Sequence, residues 1–519
     1  MDTVMRWRRS YAVLLTATLV IVAAADFFFY GHTIGWTAAA FATVLLAMLA
    51  LRDGRFMRTV GGRVVLLASI GLLYALVEQP TWLNVTYTIL CVAALAIVNT
   101  SGWQPDFPQW VKRWSLLLLT GWMRLFSDNS VVIRCLARHG ISPATARGVL
   151  VWVVPTSLAS VFVALFAWGN PVLAGWIGWA FGWAWDGLWR LPEFLNVPRM
   201  LFWLTFASFA WALLRARAKR WHSANAPVAL HAVVSTQPSP ARAAAITAFV
   251  VRCLILFNVV FLVENVLDVR YLGSTDGLTP LEYREYVRRG AYPLVAAALL
   301  AGLFVLITFR PGSDTERSPW ARRLVYLWIG QTIFLTLTAA YRLVQYVEFS
   351  ELTRLRVAST VWFFLVAAGL GYVIWRIVKG RTNRWLINAN ALTAAVVLYA
   401  CCFVNFDGMI AEFNVRHCRE AGGAGKSLDI EYFRVLGTTS LPALEEVRPL
   451  LGLEKGTEWK QEQARQVADY LHGELNEVQS DWRAWTLRRA RAAQAVEAQI
   501  RLAEQVQRAS VAVASQSAQ

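Results

Sequence analysis

Apolar stretches of membrane-spanning length recur through the first 405 residues, separated by short polar gaps. A helix needs roughly 17–25 mostly apolar residues to cross the hydrocarbon layer. Eleven segments qualify: 11–30, 33–51, 64–79, 82–98, 149–168, 199–214, 245–268, 291–309, 324–344, 357–375 and 386–405. Of these, 64–79 and 199–214 are short. The pattern predicts an all-α, polytopic integral membrane protein of about 11 transmembrane helices. Two further apolar stretches fit less simply. Residues 114–126 (WSLLLLTGWMRLF) are too short to cross and predict an interfacial helix. Residues 176–189 (WIGWAFGWAWDGLW) set five Trp around Gly and Asp186, as an aromatic anchor or a re-entrant segment at the interface.

Charge then orients these spans. The gaps 1–10, 52–63, 99–148, 215–244, 310–323 and 376–385 hold 26 Lys/Arg; the intervening gaps hold eight, counting Arg199 at a span edge. Cationic loops stay on the cytoplasmic side, so the alternation puts the N-terminus in the cytoplasm and, after an odd number of spans, the C-terminal tail outside. The first span, preceded by Arg6, Arg8 and Arg9, is too long for a cleavable signal and reads as an uncleaved anchor. Four regions result: an N-terminal membrane half (1–214, about six spans), a basic linker (215–244), a C-terminal membrane half (245–405, about five spans) and a helical periplasmic tail (406–519). Pro227, Pro238 and Pro240 argue against a continuous helix through the linker. In the tail, 428–452 predict short amphipathic helices with Pro442 at a turn, and 459–508 predict long helices. The second of these has few large apolar residues, so it should lean on another element. The last ten residues are expected to be disordered.

Composition agrees with this layout. The 519 residues are 57% hydrophobic and 16% charged, with 25 Trp and a mean hydropathy of +0.44. A soluble chain carries about 25% charged residues. The net charge of +17 is not a nucleic-acid signature, because the tail holds 14 Lys/Arg against 16 Asp/Glu and the excess belongs to the membrane part. There it serves orientation and contact with anionic lipid. Six scattered cysteines and six scattered histidines show no metal-ligand spacing, and no cofactor-binding motif is present. AGGAGKS (421–427) imitates the end of a phosphate loop, but Glu420 stands where that loop needs glycine, so it reads as a flexible linker.

The candidate chemistry lies at the outer ends of spans. Glu264 and Asp268, four residues apart in one span, and Arg342 in another predict an ion pair or a polar vestibule. Asp26 and Arg252, near span ends, would snorkel or pair. The outer loop 281–292 (LEYREYVRRGAY) brings Tyr283, Arg288 and Arg289, and ELTRLRV (351–357) brings Arg354 and Arg356 to the same face.

Several of these segments resemble a known family. NFDGMIAEFNVRHC (405–418) and LDIEYFRVLGTTSLPAL (428–444) are similar to the ending of a bacterial family of polytopic inner-membrane proteins classed only as a domain of unknown function. The shared features are an aromatic–Asn pair (Phe413–Asn414, with Phe where Tyr is usual), Leu428–Asp429 with Tyr432, and Leu441–Pro442 with Leu444. EYREYVRRGAYPL (282–294) and ELTRLRV (351–357) resemble the family's approaches to two spans, so the likeness covers about 245–450. It implies a bacterial inner-membrane protein and no activity. The expected role is non-enzymatic: binding a lipid, glycan or protein partner at the outer face through Glu264, Asp268, Tyr283, Arg288, Arg289, Arg342, Arg354, Arg356 and Asn414. The alternatives are a transporter of a small or lipidic solute, or a membrane enzyme acting on a lipid-linked substrate with Glu264 or Asp268 as base. The expected partners are membrane lipids and, at the outer face, an envelope protein or an anionic lipid or glycan. No catalytic residue, cofactor or metal ligand is expected, and no nucleic acid.

Overall fold

The computed structural model describes residues 2–52, 54–127, 197–214, 240–272, 304, 309, 314–423, 425–453 and 458–517. Every regular element among them is helical. The chain divides into two compact units, Met1–Lys219 and Arg220–Gln519.

The first unit holds α1 (Asp2–Phe29), α2 (Thr37–Arg52), α3 (Val60–Glu78), α4 (Trp82–Ser101), α5 (Phe107–Ser127) and α6 (Val197–Leu214). The core is drawn from Ile21 and Ala25 of α1, Phe41 and Leu45 of α2, Val92 to Val98 of α4 and Ala210 to Leu214 of α6. Two buried asparagines fix its turns. Asn84 donates to the carbonyls of Ala75 and Gln79 (3.2 and 2.7 Å) and completes a capping box with Thr81, which closes the α3–α4 turn. Asn99 accepts from the Phe56 amide (3.0 Å) and donates to Leu49 O (3.4 Å), tying the α2–α3 connection to the end of α4. The apolar stretch 114–126 is the second part of the longer α5. Polar Gln109, Lys112 and Arg113 interrupt its apolar count but not its helix, and Trp110 and Leu117 join the core.

The second unit begins with α7 (Pro240–Leu272), α8 (Pro319–Ser350), α9 (Arg354–Lys379) and α10 (Asn383–Cys401). Pro240 opens α7, where a missing amide hydrogen costs nothing. A polar ladder joins α7 to α8: Asn258 Nδ2 donates to Leu324 O (3.1 Å), Asn265 Nδ2 to Gln331 O (3.4 Å) and Thr338 Oγ1 to Asp268 Oδ2 (2.9 Å). The numbers rise together along both helices, so α7 and α8 run parallel. Phe304 closes the aromatic cluster between them, with its ring centroid 5.2 Å from Phe257 and 5.7 Å from Trp328. Gly369 lets α9 approach α10, since a Cβ there would meet Asn390 Oδ1 at 2.7 Å. The buried Arg376 donates to Phe309 O (2.5 Å).

Large apolar side chains also point outward: Leu67, Leu256, Phe364 and Leu392 are each more than half exposed. Outward-facing apolar side chains of this kind are favourable in lipid and unfavourable in water. Among the described residues, five helices are long and apolar enough to cross a membrane: α3, α4, α7, α8 and α9. A sixth arises if α10 and α11 (Phe406–His417), bent by 68°, count as one span. Val13–Phe29 within α1, α2 itself and Pro198–Leu214 within α6 are apolar but shorter. The expected spans 149–168 and, save for Phe304 and Phe309, 291–309 lie outside the described residues, as does the Trp-rich 176–189.

After α10 the chain turns into a small helical tail with a core of its own. α11 supplies Ile410, Ala411 and Val415, so it belongs with the tail rather than continuing a span. α12 (Tyr432–Leu436) adds Phe433 and Leu436, and α13 (Leu441–Val447), with Pro442 in its first turn, adds Leu441 and Leu444. α14 (Glu458–Ser480) adds Val467, Leu471 and Leu475. α15 (Leu487–Ser517) contributes Val496 to this core and leans on α13, where Gln499 donates to Pro442 O (3.1 Å). Helix continues to Ser517 in place of the disorder expected for the last ten residues; Ala and Gln there are strong helix formers.

Candidate functional site: a latch between the α8–α9 turn and the tail

Three residues, Glu351 to Thr353, separate α8 from α9. So short a turn leaves backbone groups without helical partners. Glu351 takes φ +70° and ψ 152°, a conformation that strains any residue but glycine. The tail supplies the missing partners. Asn414, 2% exposed on α11, accepts from the Leu352 amide (2.6 Å) and donates to the Leu352 carbonyl (3.0 Å). The Tyr432 hydroxyl accepts from the Arg354 amide (3.0 Å), an orphan of the first turn of α9. Glu351 Oε1 accepts from the Asp429 amide (2.7 Å). The Arg354 side chain pairs with Asp407 (2.6 Å) and reaches Leu436 O (3.5 Å). Leu352 and Val357 pack against the tail core.

Electrostatics reinforce this contact. Burial pushes the Glu351 carboxyl up, and the Asp429 charge adds to that; the Asp429 amide, Lys426 and Arg356 pull the other way. Arg356 is half-buried beside it. The arrangement can hold two segments together and present charge; it contains no nucleophile paired with a base. Among the described residues, no three His, Cys, Asp or Glu side chains could hold a metal ion.

The Gly-rich loop sits next to the latch. Amides of Gly423 and Gly425 donate to the carbonyls of Cys418 and His417 (both 2.9 Å), curling the loop back on α11. Glu420 occupies its centre. Its carboxylate accepts from Lys460 Nζ (2.6 Å), Ser427 Oγ (2.8 Å) and the Leu428 amide (3.1 Å), and Lys460 also bonds Ser427. Burial pushes this carboxyl up, but those donors and its own amide outweigh burial and hold it at about 2. The loop that imitates a phosphate cradle therefore carries its own anion.

The sequence-predicted residues are distributed as follows. Arg354, Arg356 and Asn414 meet at the latch. Asp268 is fully buried against Thr338, whereas Glu264, four residues earlier, is exposed, so the two differ in environment. Arg342 lies one turn beyond Thr338 on α8, and its side chain falls outside the described residues, as do Tyr283, Arg288 and Arg289. Asp26, read from sequence as snorkelling or pairing, has a partner that sequence did not identify. Arg199 forks onto its carboxylate, with Nε at 2.8 Å, Trp203 Nε1 donates to it at 2.8 Å, and the guanidinium lies 4.9 Å from the Tyr30 ring. The available signal was that Asp26 and Arg199 both sit at span edges on one side of the charge map. Nothing in the sequence marked Glu420 and Lys460, 40 residues apart, as partners.

A family model described as Domain of unknown function (DUF4153) matches residues 62–447. The match reaches well into the first half, beyond the 245–450 over which the motifs are similar, and ends where α13 ends. It contains every residue of the latch and leaves α14 and α15 outside. No curated protein and no solved structure matches the chain.

Proposed function

The chain belongs to the DUF4153 family, whose description assigns no activity, and from that premise we propose a bacterial inner-membrane protein of about 11 spans that binds a lipid, glycan or protein partner at its outer face without catalysing a reaction. The N-terminus is cytoplasmic and the tail periplasmic. The latch carries this reading. Motif residues far apart in sequence (Leu352 and Arg354 with Asn414, Asp429 and Tyr432) are spent on holding a compact tail against span ends, as a docking platform requires.

The grouping of the gaps into two sides is supported by four side-chain tethers: Asp26 with Arg199 and Leu352 with Asn414 join ends that the charge map assigns to the outer side, and Asn99 with Phe56 and Arg376 with Phe309 join ends that it assigns to the inner side.

A reporter that works only in the cytosol, attached after Gln519, is expected to stay silent; strong signal from it overturns the orientation. For binding, a photo-crosslinker at Arg356 in intact cells is expected to yield a discrete adduct that Asn414→Ala abolishes. Absence of any adduct there, with one formed instead at the bilayer midplane, would favour solute passage and sink the platform reading.

A further inference from the structure

The seam between α7 and α8 is apolar along one half and polar along the other. Towards the helix starts it is closed by Val250, Leu254, Ala321 and Val325, all buried. From there on it carries Asn258, Asn265 and Asp268 on α7 and Gln331, Thr332, Thr336 and Thr338 on α8. All but Gln331 are more than nine-tenths buried. A polar group inside a bilayer is costly unless it is partnered, so each partner has to be accounted for. The amide nitrogens have theirs. Asn258 Nδ2 donates to Leu254 O (2.7 Å) as well as to Leu324 O, and Asn265 Nδ2 donates to Gln331 O. A carbonyl only accepts, so these bonds fix which end of each carboxamide is the nitrogen. The hydroxyl protons are used too: Thr332 donates to Trp328 O (2.8 Å), Thr336 to Thr332 O (2.7 Å) and Thr338 to Asp268. Acceptors are left over. Among the described residues, nothing donates to the buried Asn258 Oδ1, Asn265 Oδ1 or Gln331 Oε1.

The two levels of the seam differ. Trp328, one turn beyond Leu324, has a buried indole N–H that also lacks a partner. At the level of Asn258, one bridging water therefore suffices to join a spare donor to a spare acceptor. At the level of Asn265 only acceptors remain. Its nitrogen lies 3.4 Å from the Gln331 carbonyl, so the two residues are neighbours across the seam, and each brings an oxygen without a donor. Asp268, three residues on and fully buried, adds a carboxylate on the same helix face. What satisfies such oxygens without presenting lone pairs of its own is a cation. Carbonyl and carboxylate oxygens suit hard ions, and calcium or magnesium would ask for more carboxylate charge than the seam supplies. Gln331, long and only half-buried, is the side chain with room to swing and admit an ion.

We infer that the α7–α8 seam holds a monovalent cation, Na⁺ or K⁺, on the carboxamide oxygens of Asn265 and Gln331, beside the carboxylate of Asp268. Polar side chains buried between spans are costly to keep, and ion sites are a recurrent reason for keeping them. The seam lies between two spans and shares no residue with the latch. The inference therefore goes beyond the outer-face binding proposed above, and it stands whichever side of the membrane the tail occupies.

The test measures binding of radiolabelled Na⁺ to the purified full chain in detergent, with choline chloride holding the ionic strength constant and K⁺ as competitor. Saturable binding is expected. Gln331→Leu, which removes one oxygen, is expected to weaken it by about tenfold or more, and Gln331→Glu, which adds a charge, to tighten it about tenfold. Asn265→Leu removes the other oxygen and should act like Gln331→Leu. Should it fail to fold, because its bond to the Gln331 carbonyl is lost as well, the two Gln331 variants carry the reading by themselves. Absence of saturable binding of either ion, or equal binding by Gln331→Leu and the natural chain, overturns the site. A change of stability in Gln331→Leu without saturable binding of either ion assigns the seam to water alone and overturns it too.

Discussion

Replacing Asn414 by alanine tests the latch at its most buried point. The side chain is 2% exposed and satisfies both backbone groups of Leu352, at 2.6 and 3.0 Å. Its removal leaves a half-buried N–H and a half-buried C=O without partners, each costing about 1–3 kcal/mol. Water reaching the enlarged space recovers part of that, so a net loss of about 2–4 kcal/mol is expected, and each 1.4 kcal/mol is tenfold in the opening equilibrium. Hydrogen exchange of the Leu352 and Thr353 amides in the detergent-solubilised full chain should then accelerate by about thirtyfold to a thousandfold. Exchange in α3 and α4, in the other compact unit, should not change. Asn414→Asp separates the two bonds: the carboxylate still accepts from the Leu352 amide but repels the Leu352 carbonyl, so an intermediate acceleration is expected. If Leu352 in Asn414→Ala exchanges within about twofold of the natural chain, the reasoning fails, because an opening cost below about 0.5 kcal/mol means the amide bore no load.

Removing one partner of the buried Glu420–Lys460 pair, as in Lys460→Met, should destabilise the tail by about 3–5 kcal/mol, read as a lower midpoint for loss of near-ultraviolet dichroism. The same pair sets an acid limit. The Glu420 carboxyl is depressed from an ordinary 4.5 to about 2, so its contribution is complete above pH 4.5 and is lost as pH falls towards 2, about 3 kcal/mol in all. Glu420→Gln should be less stable at neutral pH and flatter across that window; parallel pH profiles for the two chains would exclude the assignment. At the other unit, Asp26→Leu strands the Arg199 guanidinium against apolar helices and should lower thermal stability in detergent. Adding Arg199→Leu should recover much of the loss, and a strictly additive double variant would show that the two side chains act independently.

How much of this was legible in advance follows from the range of each interaction. Helix existence is local: runs of apolar residues of bilayer length mark α1 to α4 and α6 to α10 with little reference to the rest of the chain. Helix ends were less legible, because they depend on caps. α5 starts at Phe107 rather than at the first residue of its apolar run, and Pro240 starts α7 inside a stretch read as linker. The parallel register of α7 and α8 was invisible, since asparagines at 258 and 265 look like isolated polar residues until carbonyls 66 positions away come within reach.

The site divides along the same line. Sequence alone determined that this is a multi-pass helical protein, which gaps carry its basic residues, and that Arg356 and Asn414 belong to shared motifs, because hydropathy, charge and motif spacing are properties of contiguous chain. Only the tertiary structure decided that Asn414 closes on Leu352, that Glu420 neutralises its own loop through Lys460, and that Asp26 meets Arg199. Each is a directional contact between short side chains, and it forms or fails on differences of an ångström that packing sets and composition does not record.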